Sequence, residues 1–445
     1  MTRPPVRVLT GITTSGTPHL GNYVGAIRPA VAASRDAAVE SYFFLADLHA
    51  LIKVQEPARV QRSTLEIAAA WLACGLDPQR VRFYRQSDIP EIPELTWLLT
   101  CVAGKGLLNR AHAYKAAVDR NRAEAEDDDA GISAGLFMYP VLMAADILLF
   151  NAERVPVGRD QIQHIEMARD FGQRFNHLYG EHFTLPEAAI EEHVATLPGL
   201  DGRKMSKSYD NVIPLFAPRE QLCKLVFSIV TDSRAPGEPK DTEGSALFEI
   251  YRAFASADET AAMRRAFAEG IAWGDAKQRL FERVEVEIAP LRARYEALVA
   301  EPQVIERQLR EGAARLREER ATPFLAQLRR AVGLAPLDRP LAQAGADDAS
   351  ARRAAPPQFK QYREADGRFH FKLVDGERLL LQGAGQASPR DAGQLIARLK
   401  RGGAAALHES GGEIELDGSP VGRLGGDATL QDLADALERL AQAGA

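Results

Sequence analysis

The run Val6-Arg7-Val8-Leu9-Thr10-Gly11-Ile12-Thr13-Thr14-Ser15-Gly16-Thr17-Pro18-His19-Leu20-Gly21-Asn22 begins as an apolar β-type segment, Val6 to Thr10. It continues as a glycine-punctuated turn from Gly11 to Asn22 and passes into helix-forming sequence from Tyr23 onward. Ser41 to Ala46 is a second short apolar run, rich in aromatics and of strand length. Arg59 to Cys74 has helical periodicity and stops at Gly75, and Val81 to Arg85 reads as a third strand. Strands that alternate with helices predict an α/β fold with a doubly wound parallel sheet, Rossmann-like in architecture. In such sheets ligands sit where strands end and helices begin, which draws attention to residues 11–22.

The same alternation continues to about residue 216. Glu94 to Tyr114 reads as a helix, Asn121 to Asp129 as a charged loop and Gly135 to Phe150 as an apolar helix. Val155-Pro156-Val157 is a short strand that leads through Gly158-Arg159-Asp160 into a helix with Gln161, Gln163 and His164. The apolar stretch from Leu136 contains Asp146 and is shorter than the ~20 residues of a membrane span, so it reads as a core helix whose carboxylate needs a partner. From Arg219 to about Val332 the pattern is helical, with arginines at 307, 310, 315, 317, 320, 329 and 330, balanced in part by Glu306, Glu311, Glu318 and Glu319.

Residues 338–358 read as a linker and 359–445 as a small α+β extension, with a weak tandem ββα pattern. The expected organisation is a catalytic domain over 1–216, an all-helical domain over 217–337, the linker and the extension.

With 445 residues, 35 Gly and 25 Pro, the composition is that of a globular protein of about three domains and excludes collagen, coiled coil and general disorder. Cys74, Cys101 and Cys223 lie far apart, with no zinc-ligand spacing, so neither a disulfide framework nor a bound metal is expected. No apolar segment follows Met1-Thr2-Arg3-Pro4-Pro5, and a cytoplasmic setting without membrane association is the expectation. A formal charge of −6 argues on its own against a nucleic-acid partner, DNA included, but whole-chain charge can hide a local basic face.

Two short segments carry chemistry. In Pro18-His19-Leu20-Gly21-Asn22 the glycine lets a ligand approach the backbone, the helix start offers unpaired N–H groups to phosphate, and His19 and Asn22 add donors. Lys204-Met205-Ser206-Lys207-Ser208, preceded by Pro198-Gly199-Leu200-Asp201-Gly202-Arg203, places two lysines three apart between hydroxyls, a flexible cationic clamp for oxygens that gain charge as pyrophosphate leaves.

Those two segments resemble the HIGH and KMSKS signatures of class I aminoacyl-tRNA synthetases. Gly11-Ile12, Gly16, Gly21-Asn22-Tyr23, Met138-Tyr139-Pro140, Met143-Ala144-Ala145-Asp146-Ile147-Leu148-Leu149 and Val157-Gly158-Arg159-Asp160-Gln161 further resemble the bacterial tryptophanyl enzymes, over roughly residues 5 to 335. The first signature departs from the family: it reads His-Leu-Gly-Asn, so Asn22 takes the place of the second histidine.

The resemblance implies activation of L-tryptophan by ATP to tryptophanyl-adenylate and pyrophosphate, then transfer to the 3′-terminal adenosine of its tRNA. It implies His19, Asn22, Lys204 and Lys207 as the catalytic set. Thr13, Thr14, Ser15, Gly21, Asn22, Gly158, Arg159, Asp160, Val194, Lys204, Met205, Ser206, Lys207 and Ser208 would line ATP, with Lys115 a further candidate phosphate ligand. Asp146 would accept the indole N–H in an apolar slot flanked by Tyr139, Met143 and Gln161, with Leu9 and His49 nearby. Mg²⁺ would arrive with ATP, the helical domain would hold the anticodon, and the enzyme would be a homodimer.

The nearest rival is a tyrosyl-tRNA synthetase, since a phenol O–H can also donate to Asp146. Another adenylate-forming ligase would explain both phosphate motifs but not the helical domain. A non-catalytic RNA-binding relative would have damaged signatures, whereas His19, Asn22, Lys204 and Lys207 are all present.

Overall fold

The computed structural model describes residues 5–14, 16–190, 196–337, 357–364, 367–376, 378–401, 406–426 and 428–443. The chain divides into two compact units, one reaching Leu334 and the other starting at Ala335.

The first unit is built on five parallel strands: β1 (Val6–Ile12), β2 (Val39–Leu45), β3 (Arg82–Arg85), β4 (Arg154–Val157) and β5 (Glu187–Ile190), in the order β3-β2-β1-β4-β5. The sheet is buried on both faces, so alternate residues of one strand enter different cores. Phe43, Leu45 and Phe83 join Trp71 of the helix Pro57–Ala73 on one side, whereas Leu9, Tyr42, Phe44 and Tyr84 pack against Ile92, Leu99, Val141 and Phe171 on the other. The strand order reverses direction at β1, and its carboxyl end lies beside that of β4. This is the switch point at which doubly wound sheets leave a crevice.

The helical segment adds its own apolar residues, Leu222, Phe248, Leu280 and Val284 among them, to the first of these cores. Several of its arginines are paired within the first unit. Arg320 pairs with Glu40 of β2, Arg317 with Glu91 and Arg329 with Glu94, both in the helix Glu91–Val102, and Arg315 donates to the Pro78 carbonyl, while Arg310 pairs with Glu306. The single helix expected over Glu94 to Tyr114 is instead three, Glu91–Val102, Lys105–Leu108 and His112–Ala123. Ala103 and Gly104 are extended and interrupt the first, where a glycine weakens the helical preference.

The second unit is a six-stranded antiparallel sheet of β6 (Gln358–Arg363), β7 (Phe369–Asp375), β8 (Arg378–Gly383), β9 (Leu407–Ser410), β10 (Glu413–Leu416) and β11 (Ser419–Leu424), ordered β6-β7-β8-β11-β10-β9. Each half is three strands followed by a helix, Pro389–Lys400 or Leu430–Ala443, so the repeating piece is βββα where the sequence pattern indicated ββα. The missed strands are polar ones at the edges: β6 contains only Phe359 and Tyr362 as large apolar side chains, and β9 only Leu407.

Candidate active site

The turn after β1 is locked by its own backbone. His19 caps the short helix Leu20–Asn22: its Nδ1 accepts from the Asn22 N–H at 3.2 Å, and the Asn22 Oδ1 accepts from the His19 N–H at 3.1 Å. Because Nδ1 is an acceptor, the imidazole proton resides on Nε2. Burial lowers the His19 pKa to about 4, with Lys207 adding to the shift, so the ring is neutral at physiological pH and can donate from Nε2 without carrying charge. Asn22, expected to replace a second histidine, thus also fixes the first one. Thr14 is buried and its hydroxyl finds no partner among the described residues, an orphan donor at the mouth of the turn.

The lysine loop closes onto that turn. Leu20 N donates to the Ile213 carbonyl at 3.0 Å and Leu215 N to the Pro18 carbonyl at 2.9 Å, so the chain leaving the loop clasps the His19 segment from the side. Met205 is buried in the same core as Leu20 and Tyr23. A Cβ on Gly16, whose φ is +82°, would stand 3.1 Å from Lys207 Nζ, and one on Gly21 would stand 3.0 Å from His19 Nδ1. Both glycines therefore keep a cradle open beside the lysine and the imidazole. Burial pulls the Lys207 ammonium below its usual pKa, opposed by Glu66, which also accepts from the Thr17 hydroxyl at 3.1 Å. Lys204 is exposed, and the Ser206 and Ser208 hydroxyls lie 2.8 Å apart.

Asp146 sits on the opposite core face of the sheet, in the helix Ala134–Leu148. Tyr139, Met143 and Asp146 are spaced i, i+4, i+7 and share one stripe of that helix. Asp146 is fully buried: its Oδ2 bonds His49 Nε2 at 2.9 Å, and Gln86 Nε2 donates to both carboxylate oxygens at 2.8 and 3.0 Å. Burial raises its pKa, while the bonds from His49 and Gln86 draw it back down. The His49 ring meets Tyr139 edge-on, 6.4 Å between centroids, and the Tyr139 hydroxyl is bonded to His164, whose Nδ1 is 3.0 Å from Gln161 Oε1. The structure thus brings Asp146, His49, Tyr139 and Gln161 into one connected group, with Leu9 and Met143 in the surrounding core.

Gly158 and Arg159 follow β4 at the switch point, with Gly158 capping the short turn Arg159–Gln161. Ser15, Val194 and the Asp160 side chain lie outside the described residues. Thr13 is exposed directly after β1, and Lys115 is exposed on the helix His112–Ala123, its side chain engaged with no described residue. Among the described residues no cluster of three or more His, Cys, Asp or Glu could hold a metal, and no helix is long and apolar enough to cross a membrane.

A family model described as tRNA synthetases class I (W and Y) matches residues 1–287. The tryptophan–tRNA ligase of Xanthomonas axonopodis pv. citri is 70% identical over 424 residues, which cover 95% of this chain and 98% of that protein. The chain belongs to the tryptophan–tRNA ligase family of class I tRNA synthetases. The Pseudomonas aeruginosa member is 60% identical over 446 residues, covering 98% of each chain, so its likeness includes the C-terminal unit. The crystal structure of the Campylobacter jejuni tryptophanyl-tRNA synthetase, complexed with ADP and tryptophan, superposes with a TM-score of 0.68 at 40% identity, over 74% of this chain and all of that one.

Three residues of this tryptophan–tRNA ligase family member escaped the sequence reading. Gln86 stands at the end of β3, in a place that any polar residue could fill, and nothing local marks it as the donor pair for Asp146. Asn211 is buried and organises the lysine loop: it accepts from Ser206 N at 2.8 Å and donates to Asp201 Oδ1 at 2.6 Å and the Lys204 carbonyl at 3.2 Å. A Cβ on Gly199 would come within 2.4 Å of its carboxamide, which explains the glycine in the preceding Pro-Gly pair. Glu66, in the middle of the helix Pro57–Ala73, reads as an ordinary helix carboxylate until the fold brings it to Thr17 and Lys207.

Proposed function

We propose that the chain activates L-tryptophan with ATP and transfers it to its tRNA. Adenylate formation is an in-line displacement at the α-phosphate by a carboxylate that is already anionic, so it needs positioning and charge stabilisation and no protein nucleophile or base. The observation that carries the reading is the packing of the lysine loop on the His19 turn, which puts Lys207 Nζ against the Gly16 cradle. In this reading His19 Nε2–H and the Thr14 hydroxyl donate to ATP phosphate oxygens, Asn22 fixes the imidazole, and Gly158 and Arg159 approach the ribose from the β4 side. Lys207 and Lys204 act on the β- and γ-phosphates as negative charge develops on the leaving pyrophosphate. Mg²⁺ comes with the nucleotide and is held chiefly by phosphate and water.

Asp146 accepts the indole N–H, and His49 and Gln86 leave its carboxylate fully hydrogen-bonded in a dry core. Phenylalanine has no N–H to give and forfeits that charge-assisted bond, about 1.5–3 kcal/mol, while His49 and Gln86 keep the carboxylate partnered. The 2′-hydroxyl of the terminal adenosine then attacks the adenylate carbonyl, forming the ester and releasing AMP. The helical segment of 217–337 holds the anticodon region. In this reading the chain works as a homodimer. Charging of tRNA with labelled tryptophan by the purified chain tests the reading; acid-precipitable counts with tyrosine and none with tryptophan would overturn it.

A further inference from the structure

The C-terminal unit has no assigned role, and its sheet is asymmetric in two respects. Its helices Pro389–Lys400 and Leu430–Ala443 pack on each other and share one core with Phe371, Leu373, Leu381, Ile414 and Leu416, so within the unit both cover the same sheet face. The opposite face is formed by the alternate residues. Lys360 and Tyr362 of β6 stand across from Lys372 and His370 of β7, Lys372 across from Gln382 of β8, and Gln382 across from Arg423 of β11. The charge is equally one-sided: residues 357–401 hold nine Lys and Arg against five Asp and Glu, whereas residues 402–445 hold two against eight.

Lys360 and Lys372 are directly opposed on adjacent antiparallel strands, an arrangement that repels and costs stability when nothing anionic lies between them. Neither lysine has a carboxylate within ion-pair distance among the described residues, and Lys372 Nζ instead lies 5.8 Å from the Tyr362 ring centroid. Tyr362 and His370 stack with centroids 5.9 Å apart at 25°, and the Tyr362 hydroxyl is held by Gln382. The acidic half of the same face carries Glu413, which pairs with Arg423 at 3.2 Å and marks where the basic area ends.

Antiparallel sheets with stacked aromatic rings flanked by unpaired cations bind single-stranded or splayed RNA, with the rings taking bases and the cations taking phosphates. We propose that the β6–β7–β8 face is an RNA-binding platform that adds to the chain's hold on tRNA, Lys360 and Lys372 engaging backbone phosphate and Tyr362 a base. The inference rests on the tRNA-charging function for the identity of the RNA, and its test is arranged so that the two can fail separately.

Binding of the tryptophan tRNA transcript to the full-length chain is measured by fluorescence anisotropy across a salt series, beside ATP–pyrophosphate exchange, which needs no tRNA. Lys360→Gln/Lys372→Gln is expected to weaken tRNA binding by about tenfold at low salt and to lower the slope of log affinity against log salt by about two. Tyr362→Leu should weaken binding with the slope unchanged. Arg390→Gln/Arg401→Gln removes the same charge on the helix-bearing side and should bind as the parent does. Wild-type exchange activity in every variant shows that the first unit is folded. Equal affinities for the Lys360/Lys372 and Arg390/Arg401 pairs, whether both weakened or both unchanged, would overturn the platform. Loss of tryptophan-dependent exchange by the parent chain would instead overturn the function on which it rests.

Discussion

Replacing Asp146 by Asn keeps the shape of the buried side chain and removes one acceptor. The carboxylate now serves His49 Nε2 at 2.9 Å and both contacts from Gln86 Nε2, at 2.8 and 3.0 Å. An asparagine has one oxygen for these donors, and because Gln86 Nε2 reaches both oxygen positions, the new NH₂ faces the Gln86 amide in either orientation and a donor meets a donor. The indole loses a bond to a charged acceptor, about 1.5–3 kcal/mol, or about 10- to 150-fold in affinity. In ATP–pyrophosphate exchange the tryptophan KM should rise by that factor while the ATP KM stays as it was. A second readout separates pocket from fold. Burial holds the Asp146 pKa above its ordinary value, so its ionisation opposes folding, and its contribution to stability is lost as pH rises through the raised value. Asp146→Asn should therefore flatten the decline of the urea midpoint with rising pH. An unchanged tryptophan KM in a variant with that flattened profile would refute the assignment of Asp146 to the indole.

Lys207→Ala should lower kcat for exchange by about 10²–10³ with little change in either KM, since its contact is expected mainly in the transition state. A pure rise in ATP KM would make it a ground-state ligand. His19, with its pKa lowered to about 4, resists protonation in the folded chain while the unfolded chain takes up a proton near pH 6.5, so its contribution to stability falls as pH drops from 6.5 towards 4. Urea midpoints at pH 7 and 4.5 should differ less in His19→Gln than in the parent. Asn211→Ala removes the hub of the lysine loop at a local cost of about 1–3 kcal/mol. Limited proteolysis within 201–210 should accelerate and kcat should fall, and equal cleavage rates would show that the loop is held by other bonds.

What was legible in the sequence was legible for local reasons. The β1 turn announces itself because glycine, proline and histidine have to sit where a strand hands over to a helix, and the lysine pair stands out against a hydroxyl-rich background. Asp146 drew attention because a carboxylate in an apolar run must be partnered, yet its partners come from β3 and from the segment after β2, 60 and 97 residues away, and periodicity carries no information about such distances. The partners of the helical arginines are hidden for the same reason. A row of guanidinium groups reads as an RNA surface until the fold places Glu40, Glu91 and Glu94 against Arg320, Arg317 and Arg329. In the C-terminal unit, strand β6 lacked the apolar alternation that reveals a half-buried strand, because an edge strand with exposed Lys360 and Arg363 needs little of it.

Amino-acid-dependent ATP–pyrophosphate exchange, run with the purified chain, all twenty amino acids in turn and no tRNA, asks whether the chain forms an adenylate and with which amino acid. Exchange is expected with tryptophan, and background rates with phenylalanine and tyrosine. Exchange driven by tyrosine would keep the phosphate machinery of His19 and Lys207 and contradict the Asp146 pocket, and no exchange with any amino acid would contradict the adenylation chemistry itself.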